Sequence, residues 1–296
     1  MEIKKIIVVI VTYNGSNWIE KNIRSLKNSN YSNDIYIVDN MSTDNTIEII
    51  ESFDNITLIK NTENSGFGSA NNIALRKIFD QFFDYVFLIN QDAWVFEDTI
   101  TKLVEVAESN HDFGIISPMH YSGDSINLDE KFKTYFERST AEKITDKIVY
   151  VSFVNAAAWL VSKKCIQKVG FFEPLFKHYG EDNDYCRRLI YHKFKIVISK
   201  ESKICHDRII VRSITKDFLQ SKLQILFEIL NINHSLGVAY FFGFKSIFGS
   251  VNFYSKFYSK IILFKLLIVL LTYYVELLFL IFKLRKDRID NSKNAK

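Results

Sequence analysis

The sequence predicts an α/β fold, with a mainly parallel central sheet flanked by helices and a helical appendage at the C-terminal end. Three observations predict it. Four short apolar runs, at 6–11, 35–38, 56–59 and 85–89, each end abruptly on polar or glycine-containing sequence. Helical stretches follow the first three, and strand, loop and helix repeated in this way is the pattern of parallel strands joined by right-handed crossovers. Composition agrees: of 296 residues 48% are hydrophobic, with 26 Phe and 15 Tyr against 2 Pro, the make-up of a folded, element-rich chain.

Ile6 to Val11 is a continuous apolar run that stops at Thr12-Tyr13-Asn14-Gly15. With Lys4 and Lys5 before it, the run imitates a signal peptide. It is short and has no small-residue cleavage site, so it reads as a first buried strand. From Ser16 to Leu26 the residues Trp18, Ile19, Ile23 and Leu26 share one helical face, with Ser16 or Asn17 as the cap. A second strand, Ile35 to Val38, ends at Asp39-Asn40, and Ser42 to Asp44 cap a helix running to about Phe53. A third strand, Ile56 to Ile59, leads into Asn64-Ser65-Gly66-Phe67-Gly68-Ser69-Ala70-Asn71-Asn72 and another helix. The fourth, Tyr85 to Ile89, ends on Asn90-Gln91-Asp92.

Gly66-Phe67-Gly68 imitates the opening of a dinucleotide fingerprint. The third glycine position holds Asn71, the motif follows the third strand, and no acid fits the ribose role downstream. An NAD-type site is therefore rejected. From Ile115 to Ile148 the pattern weakens, and Gly123, Asp124, Asp129 and the charged run Glu130 to Lys133 predict an excursion or flexible loop. Strands return at Ile148 to Val154 and Ala157 to Val161, and Gly170 to Pro174 is a turn. Glu181-Asp182-Asn183-Asp184 then opens a helix, its acids at the positive end and Asp184 spaced to pair with Arg188. Two strands, Lys195 to Ile198 and Ser202 to Cys205, precede His206.

The net charge of +4 is too small to point to nucleic acid. Cys165, Cys186 and Cys205 are widely spaced, form no C-x-x-C and are odd in number, which speaks against a disulfide framework and fits a reducing, cytosolic setting.

Asp92, with Asn90 and Gln91 beside it at the carboxyl end of a strand, stands where open α/β sheets gather ligands. Taken alone, this window is a turn with a solvated aspartate. The order and spacing of the other segments change that reading. Thr12-Tyr13-Asn14, Val38-Asp39-Asn40 with Ser42-Thr43-Asp44, Asn64 to Gly68 with Asn72, Asn90-Gln91-Asp92, Gly170-Phe171-Phe172-Glu173, Glu181 to Asp184 with Arg188, and His206 together resemble a family 2 glycosyltransferase with the GT-A nucleotide-diphospho-sugar transferase fold. The resemblance spans roughly residues 5–213 and is strongest to rhamnosyltransferase-like members.

The resemblance implies roles residue by residue. Thr12, Tyr13 and Asn14 line the nucleotide pocket, and Asp39 accepts the N3 hydrogen of uracil or thymine. Asn64, Gly66 and Asn72 shape the loop beside the donor, with Asn90 and Gln91 next to it. Asp92 binds Mg2+ or Mn2+, His206 approaches that metal, and Asp182 deprotonates the acceptor hydroxyl. The chemistry is coherent: a departing nucleoside diphosphate needs a hard cation, and a sugar hydroxyl needs a base to become a nucleophile. One base opposite the leaving group implies inversion. The chain departs from the family pattern at Asn90, where the first acid of the aspartate-x-aspartate signature is missing, and at Phe172, where an acid is usual. Trp94 and Trp159 read as packing residues, and His178 has no matched role.

After Ser213 the character changes. Phe218 to Ile232 is an apolar-rich helix, Phe241 to Phe257 mixes aromatics with glycine and serine, and Ile261 to Phe282 is almost wholly apolar. At about 100° per residue, Lys265, Thr272, Glu276 and Lys283 stay within roughly 20° of one line. Such a stripe fits a helix lying in the membrane plane; a spanning helix with a partner, or a helix packed on the catalytic domain, are the alternatives. The expected organisation is a catalytic domain at 1–213 and a membrane-associating helical region with a basic tail at 214–296. The expected function is an inverting transferase at the cytoplasmic face of the cell membrane. It takes a nucleotide-sugar donor, possible examples being dTDP-rhamnose or a UDP-sugar, and a glycan or lipid-linked glycan acceptor of surface polysaccharide synthesis. A catalytically silent sugar-nucleotide binder, a scaffold of a glycan assembly complex, and a nucleotidyltransferase are the alternatives.

Overall fold

The computed structural model describes residues 3–139, 145–208 and 212–293. The chain divides into two compact units, Met1–Ile209 and Ile210–Lys296.

The first unit carries β1 (Ile6–Thr12), β2 (Asn33–Asp39), β3 (Ile56–Lys60), β4 (Tyr85–Asn90), β5 (Ala93–Val95), β6 (Phe113–Tyr121), β7 (Ile148–Val151), β8 (Ala158–Ser162) and β9 (Lys195–His206). They form one sheet in the order β3-β2-β1-β4-β8-β6-β9-β5, with β7 also paired to β9. The expected parallel arrangement holds across β3, β2, β1 and β4. Beyond β4 the sheet is mixed: β8 runs against β4 and β6, β9 runs with β6, and β5 and β7 run against β9. The continuous apolar runs follow from burial on both faces. Ile7 and Val9 join one core with Leu88, Trp159 and Phe172, while Ile6, Val8 and Ile10 join another with Ile37, Phe87 and Leu160.

The helices of this unit are α1 (Ile19–Lys27), α2 (Thr46–Glu51), α3 (Phe67–Ile78), α4 (Thr99–Ser109), α5 (Glu130–Ser139), α6 (Lys163–Val169) and α7 (Glu181–Tyr191). Ile19, Ile23 and Leu26 are fully buried, as the period of α1 predicts. The cap differs from expectation: Trp18 is the N-cap residue of α1 and makes no side-chain capping bond.

The excursion expected over 115–148 is a correction. It holds the nine-residue strand β6 and the helix α5. Ser117, Pro118 and His120 interrupt the apolar run in sequence, but the strand buries Ser117 and His120 and bonds Ser117 Oγ to His120 Nε2 at 3.0 Å. The charged run is the start of an amphipathic helix, capped by Asp129 accepting from Phe132 N at 2.8 Å. The two strands expected at 195–205 are one strand, because the register against β6 jumps from Pro118↔Ser199 to Met119↔Lys203 and absorbs the polar residues between.

The second unit holds α8 (Ile214–Ile229), α9 (Leu236–Tyr254), α10 (Lys260–Phe279) and α11 (Ile281–Ser292). Ser213 and Ser235 cap α8 and α9 through their hydroxyls. The long apolar helix stops at Phe279 and the chain resumes as α11, so Lys283 lies beyond the break. Arg288 of α11 donates to the carbonyls of Ile229, Asn231 and His234 at 2.5–2.6 Å, serving the buried end of α8 and the turn after it.

Candidate active site

The sheet brings the carboxyl ends of β1, β2 and β4 side by side, since Thr12 pairs with Asp39 and Val11 with Asn90. Gln91 ties the first of these ends together. Its Oε1 accepts from Thr12 Oγ1 at 2.6 Å and from Tyr13 N at 2.9 Å, and its Nε2 donates to Tyr13 O at 3.2 Å. Gly15 is held to glycine by this clamp, because a Cβ there would lie 2.3 Å from Gln91 Oε1. Asn14, at a φ of 48°, accepts from Thr43 N at 2.8 Å and receives Ser42 Oγ as the acceptor of its own N–H at 2.9 Å.

Asp39 is buried. One carboxylate oxygen accepts from Ser42 N at 3.0 Å, and the other has no hydrogen-bond partner. A buried acceptor without a donor is costly unless a ligand supplies one. Asn40 knits the next loop: its Nδ2 donates to Asn64 Oδ1 at 3.0 Å, and its Oδ1 accepts from Asn61 Nδ2 and Ser65 N. Gly66 has a φ of 84°, and a Cβ there would lie 1.7 Å from Lys177 O, so only glycine fits.

Asn72, expected to shape the loop beside the donor, is held from within the fold. It is buried, and both ends of its amide bond the backbone of Phe172, at 2.8 and 2.9 Å. It fixes the 170–173 turn on α3. Phe172 itself packs among Trp159 and Tyr185, and Trp94 lies under Lys21, so all three are packing residues.

Asp92 and His206 meet. Their closest atoms, Oδ1 and Nε2, are 3.3 Å apart. His206 Nδ1 is 3.0 Å from Arg208, whose Nε lies 3.0 Å from Asp129 Oδ2. Arg208 can only donate, so Nδ1 is the acceptor and the imidazole proton sits on Nε2, toward Asp92. Burial alone would raise the Asp92 carboxyl. The hydrogen bond from His206, with the charge of Arg208, outweighs it and holds the group below the usual carboxylate range.

Asp182 lies in the first turn of α7, which starts after Gly180 at a φ of 91°. Its Oδ1 accepts from Asn183 N at 2.8 Å, and it also takes a bond from the backbone of Ala156. Ala157 O accepts from Asn90 N at 2.9 Å, so the segment 156–157 joins the base candidate to the end of β4. Burial pushes the Asp182 carboxyl up, against its backbone bonds and the charge of Arg208. Glu181 is pushed up to about 8, by burial first and then by the charge of Asp182. It is therefore largely protonated at neutral pH, which spares Asp182 a like-charged neighbour. Asp184 serves the scaffold: Arg188 bonds it at 2.7 Å and also bonds the carbonyls of Val169 and Phe171.

Asp129, Arg208 and Glu181 are the residues that sequence reasoning missed. Arg208 follows His206 by two, and Glu181 precedes Asp182. Asp129 lay inside the segment read as a loop, where its N-cap position before Glu130 was the available signal. Among the described residues no group of three or more His, Cys, Asp or Glu side chains could hold a metal. Asp92 and His206 would offer a divalent cation two protein donors, an oxygen and an imidazole nitrogen. Cys165, Cys186 and Cys205 are free and buried.

The model of the family described as "Glycosyl transferase family 2" matches residues 7–169. Glycosyltransferase GlyA of Streptococcus pneumoniae serotype 4 is 24% identical over 245 residues, covering 77% of this chain and 34% of GlyA. Poly(ribitol-phosphate) β-N-acetylglucosaminyltransferase TarS of Staphylococcus aureus is 25% identical over 114 residues, 36% of this chain and 19% of TarS. The chain thus matches about a third of GlyA and about a fifth of TarS. Among solved structures, residues 1–349 of S. aureus TarS in complex with UDP give a TM-score of 0.62 at 15% identity, covering 97% of this chain and 89% of that one. Mannosyltransferase PcManGT from Pyrobaculum calidifontis, in complex with GDP-Man and Mn2+, gives 0.61 at 15% identity, covering 97% and 87%. These likenesses show the GT-A fold.

Proposed function

The chain belongs to glycosyltransferase family 2, and from that premise we propose that it moves a hexosyl group, with inversion, from a pyrimidine nucleotide-diphosphate donor to a hydroxyl of a glycan or lipid-linked glycan. The observation that carries the mechanism is geometric: Asp92 meets His206 at 3.3 Å at the end of β4, and the segment 156–157 ties Asp182 to that same strand end. Asp92 is held ionised by His206 and Arg208, whereas burial raises Asp182. Environments that push two carboxyls apart divide their roles, one to hold charge and one to take a proton.

Asp39 offers its unpartnered oxygen to the N3 hydrogen of uracil or thymine. Thr12, Tyr13 and Asn14 stand beside it on the β1 loop. Asp92 and His206 would hold Mg2+ or Mn2+, which neutralises charge on the departing diphosphate. Asp182 takes the proton of the acceptor hydroxyl as that oxygen bonds to the anomeric carbon, and the bond from that carbon to the donor phosphate breaks with its electron pair on the diphosphate. UDP in the TarS structure supports a uridine donor, and Mn2+ in the PcManGT structure supports a divalent metal. The acceptor named for TarS, poly(ribitol-phosphate), supports a polymeric surface glycan. We place the enzyme at the cytoplasmic face of the cell membrane, where lipid-linked glycans are built.

The test is a panel of UDP-, dTDP- and GDP-sugars with Mn2+ and a glycan acceptor, run for the wild type and Asp182→Asn. A pyrimidine nucleotide sugar is consumed, and the variant binds it but transfers about a hundredfold to ten-thousandfold more slowly. Transfer by the variant at the wild-type rate removes the base assignment. Donor binding without any turnover in the wild type favours the silent binder.

A further inference from the structure

We propose that α9 and α10 together form a lipid-docking face that lies flat on an anionic membrane surface, with α10 in the membrane plane. The helices of this unit divide α10 into three faces. Leu266, Leu270 and Leu277 are buried in the helical unit, and Tyr240 Oη donates to Leu277 O at 2.9 Å. Lys265, Thr272 and Glu276 form an exposed polar stripe between that seam and the apolar arc. Opposite the seam, Ile261, Phe264, Ile268, Leu271, Val275 and Leu278 are all exposed, on an arc of about 100°.

The apolar face does not end at α10. Phe241, Phe244 and Phe248 are exposed along one side of α9. Phe244 meets Tyr274 with ring centroids 5.5 Å apart, and Tyr274 lies one turn from Leu271 and Leu278. Tyr274 Oη donates to Tyr240 O at 3.1 Å, which locks the two helices at this seam. The exposed rings of α9 and the exposed arc of α10 therefore form one surface. Contiguous apolar patches of this extent mark an interaction site.

The occupant is set by charge and by chemistry. Residues 210–296 carry 13 Lys and Arg against 5 Asp and Glu, although the whole chain is only +4. Lys256 precedes α10, Lys260 opens it, and Lys283, Arg285 and Lys286 follow it; all five are exposed. Aromatic and aliphatic side chains bordered by lysine and arginine match an anionic lipid interface, with the long cationic side chains reaching headgroups. Length and hydropathy would let α10 cross a bilayer. Its seam, however, is packed in a unit whose α8 carries Lys216, Asp217, Lys222 and Glu228, so insertion would drag charged helices into hydrocarbon.

The test uses the full chain and vesicles, without any sugar transfer, so its failure leaves the transferase reading standing. Phe264→Cys and Thr272→Cys are each labelled with an environment-sensitive fluorophore; the three native cysteines are buried. With vesicles containing phosphatidylglycerol, the probe at 264 brightens and shifts to the blue, while the probe at 272 stays as in water. Lys256→Glu with Lys260→Glu weakens vesicle partitioning about tenfold or more, and pure phosphatidylcholine binds more weakly than the anionic mixture. The proposal is overturned by any of three results: no vesicle binding, self-association through Phe264 in place of lipid binding, or equal burial of both probes with resistance to alkaline extraction.

Discussion

His206 stands 3.3 Å from Asp92 because Ala93 pairs with His206 across the antiparallel β5–β9 ladder. Asp207 N also donates to Asp92 O at 2.8 Å, so the backbone fixes the approach of the two side chains. With Asn90 in place of an acid, this pair would be the protein's contribution to a cation. Mn2+ therefore binds weakly to the free protein and far better with a nucleoside diphosphate present. Asp92→Ala lowers UDP affinity in Mn2+ by at least about tenfold and leaves it unchanged in chelator. Calorimetry with and without nucleotide checks this, and tight Mn2+ binding to the free protein contradicts it.

Asp39 has one carboxylate oxygen engaged by Ser42 and one without a partner. Losing a charged hydrogen bond to the base costs about 1.5–3 kcal/mol. Asp39→Ala thus weakens UDP and dTDP binding about tenfold to a hundredfold, with the metal requirement intact. A wild-type protein that prefers a purine nucleotide sinks the assignment.

Glu181 has a carboxyl raised from an ordinary 4.5 to about 8, chiefly by burial. Below pH 4.5 both folded and unfolded chains hold its proton. Between 4.5 and 8 the unfolded chain releases it while the folded chain keeps it, so this residue lowers stability as pH rises. Glu181→Gln removes the loss. The variant gains little at pH 4 and gains at pH 8 by on the order of a few kcal/mol at most. Thermal melts at the two pH values measure the difference, and an equal gain at both would refute the coupling.

Arg288 is buried and serves three carbonyls around the end of α8. Arg288→Ala removes the guanidinium donors from all three and costs the helical unit about 2–4 kcal/mol. Denaturation followed by far-ultraviolet circular dichroism tests this; an unchanged midpoint would show that water replaces the guanidinium.

The strands from β1 to β4, the helices between them, and the polar residues at the strand ends were legible because neighbours along the chain determine them. A continuous run such as Ile6–Val11 needs no distant partner to be read. The same holds for the stripe Lys265, Thr272 and Glu276, whose period is intrinsic to a helix. Other features waited on tertiary structure. Ser117 and His120 looked like loop residues until β6 buried them against each other, since a polar side chain is tolerated inside only when another group satisfies it. Asn72 read as a loop-shaping residue, but its partner, 100 positions away, could not be read locally. Arg208 and Asp129 had no local signature of a shared site. The ladder that sets His206 against Ala93, together with the cap that starts α5, brings them to Asp92. Local period and composition determined the layers of this protein. The register of distant strands decided which charges meet, because cross-strand pairing depends on residues far apart in the sequence.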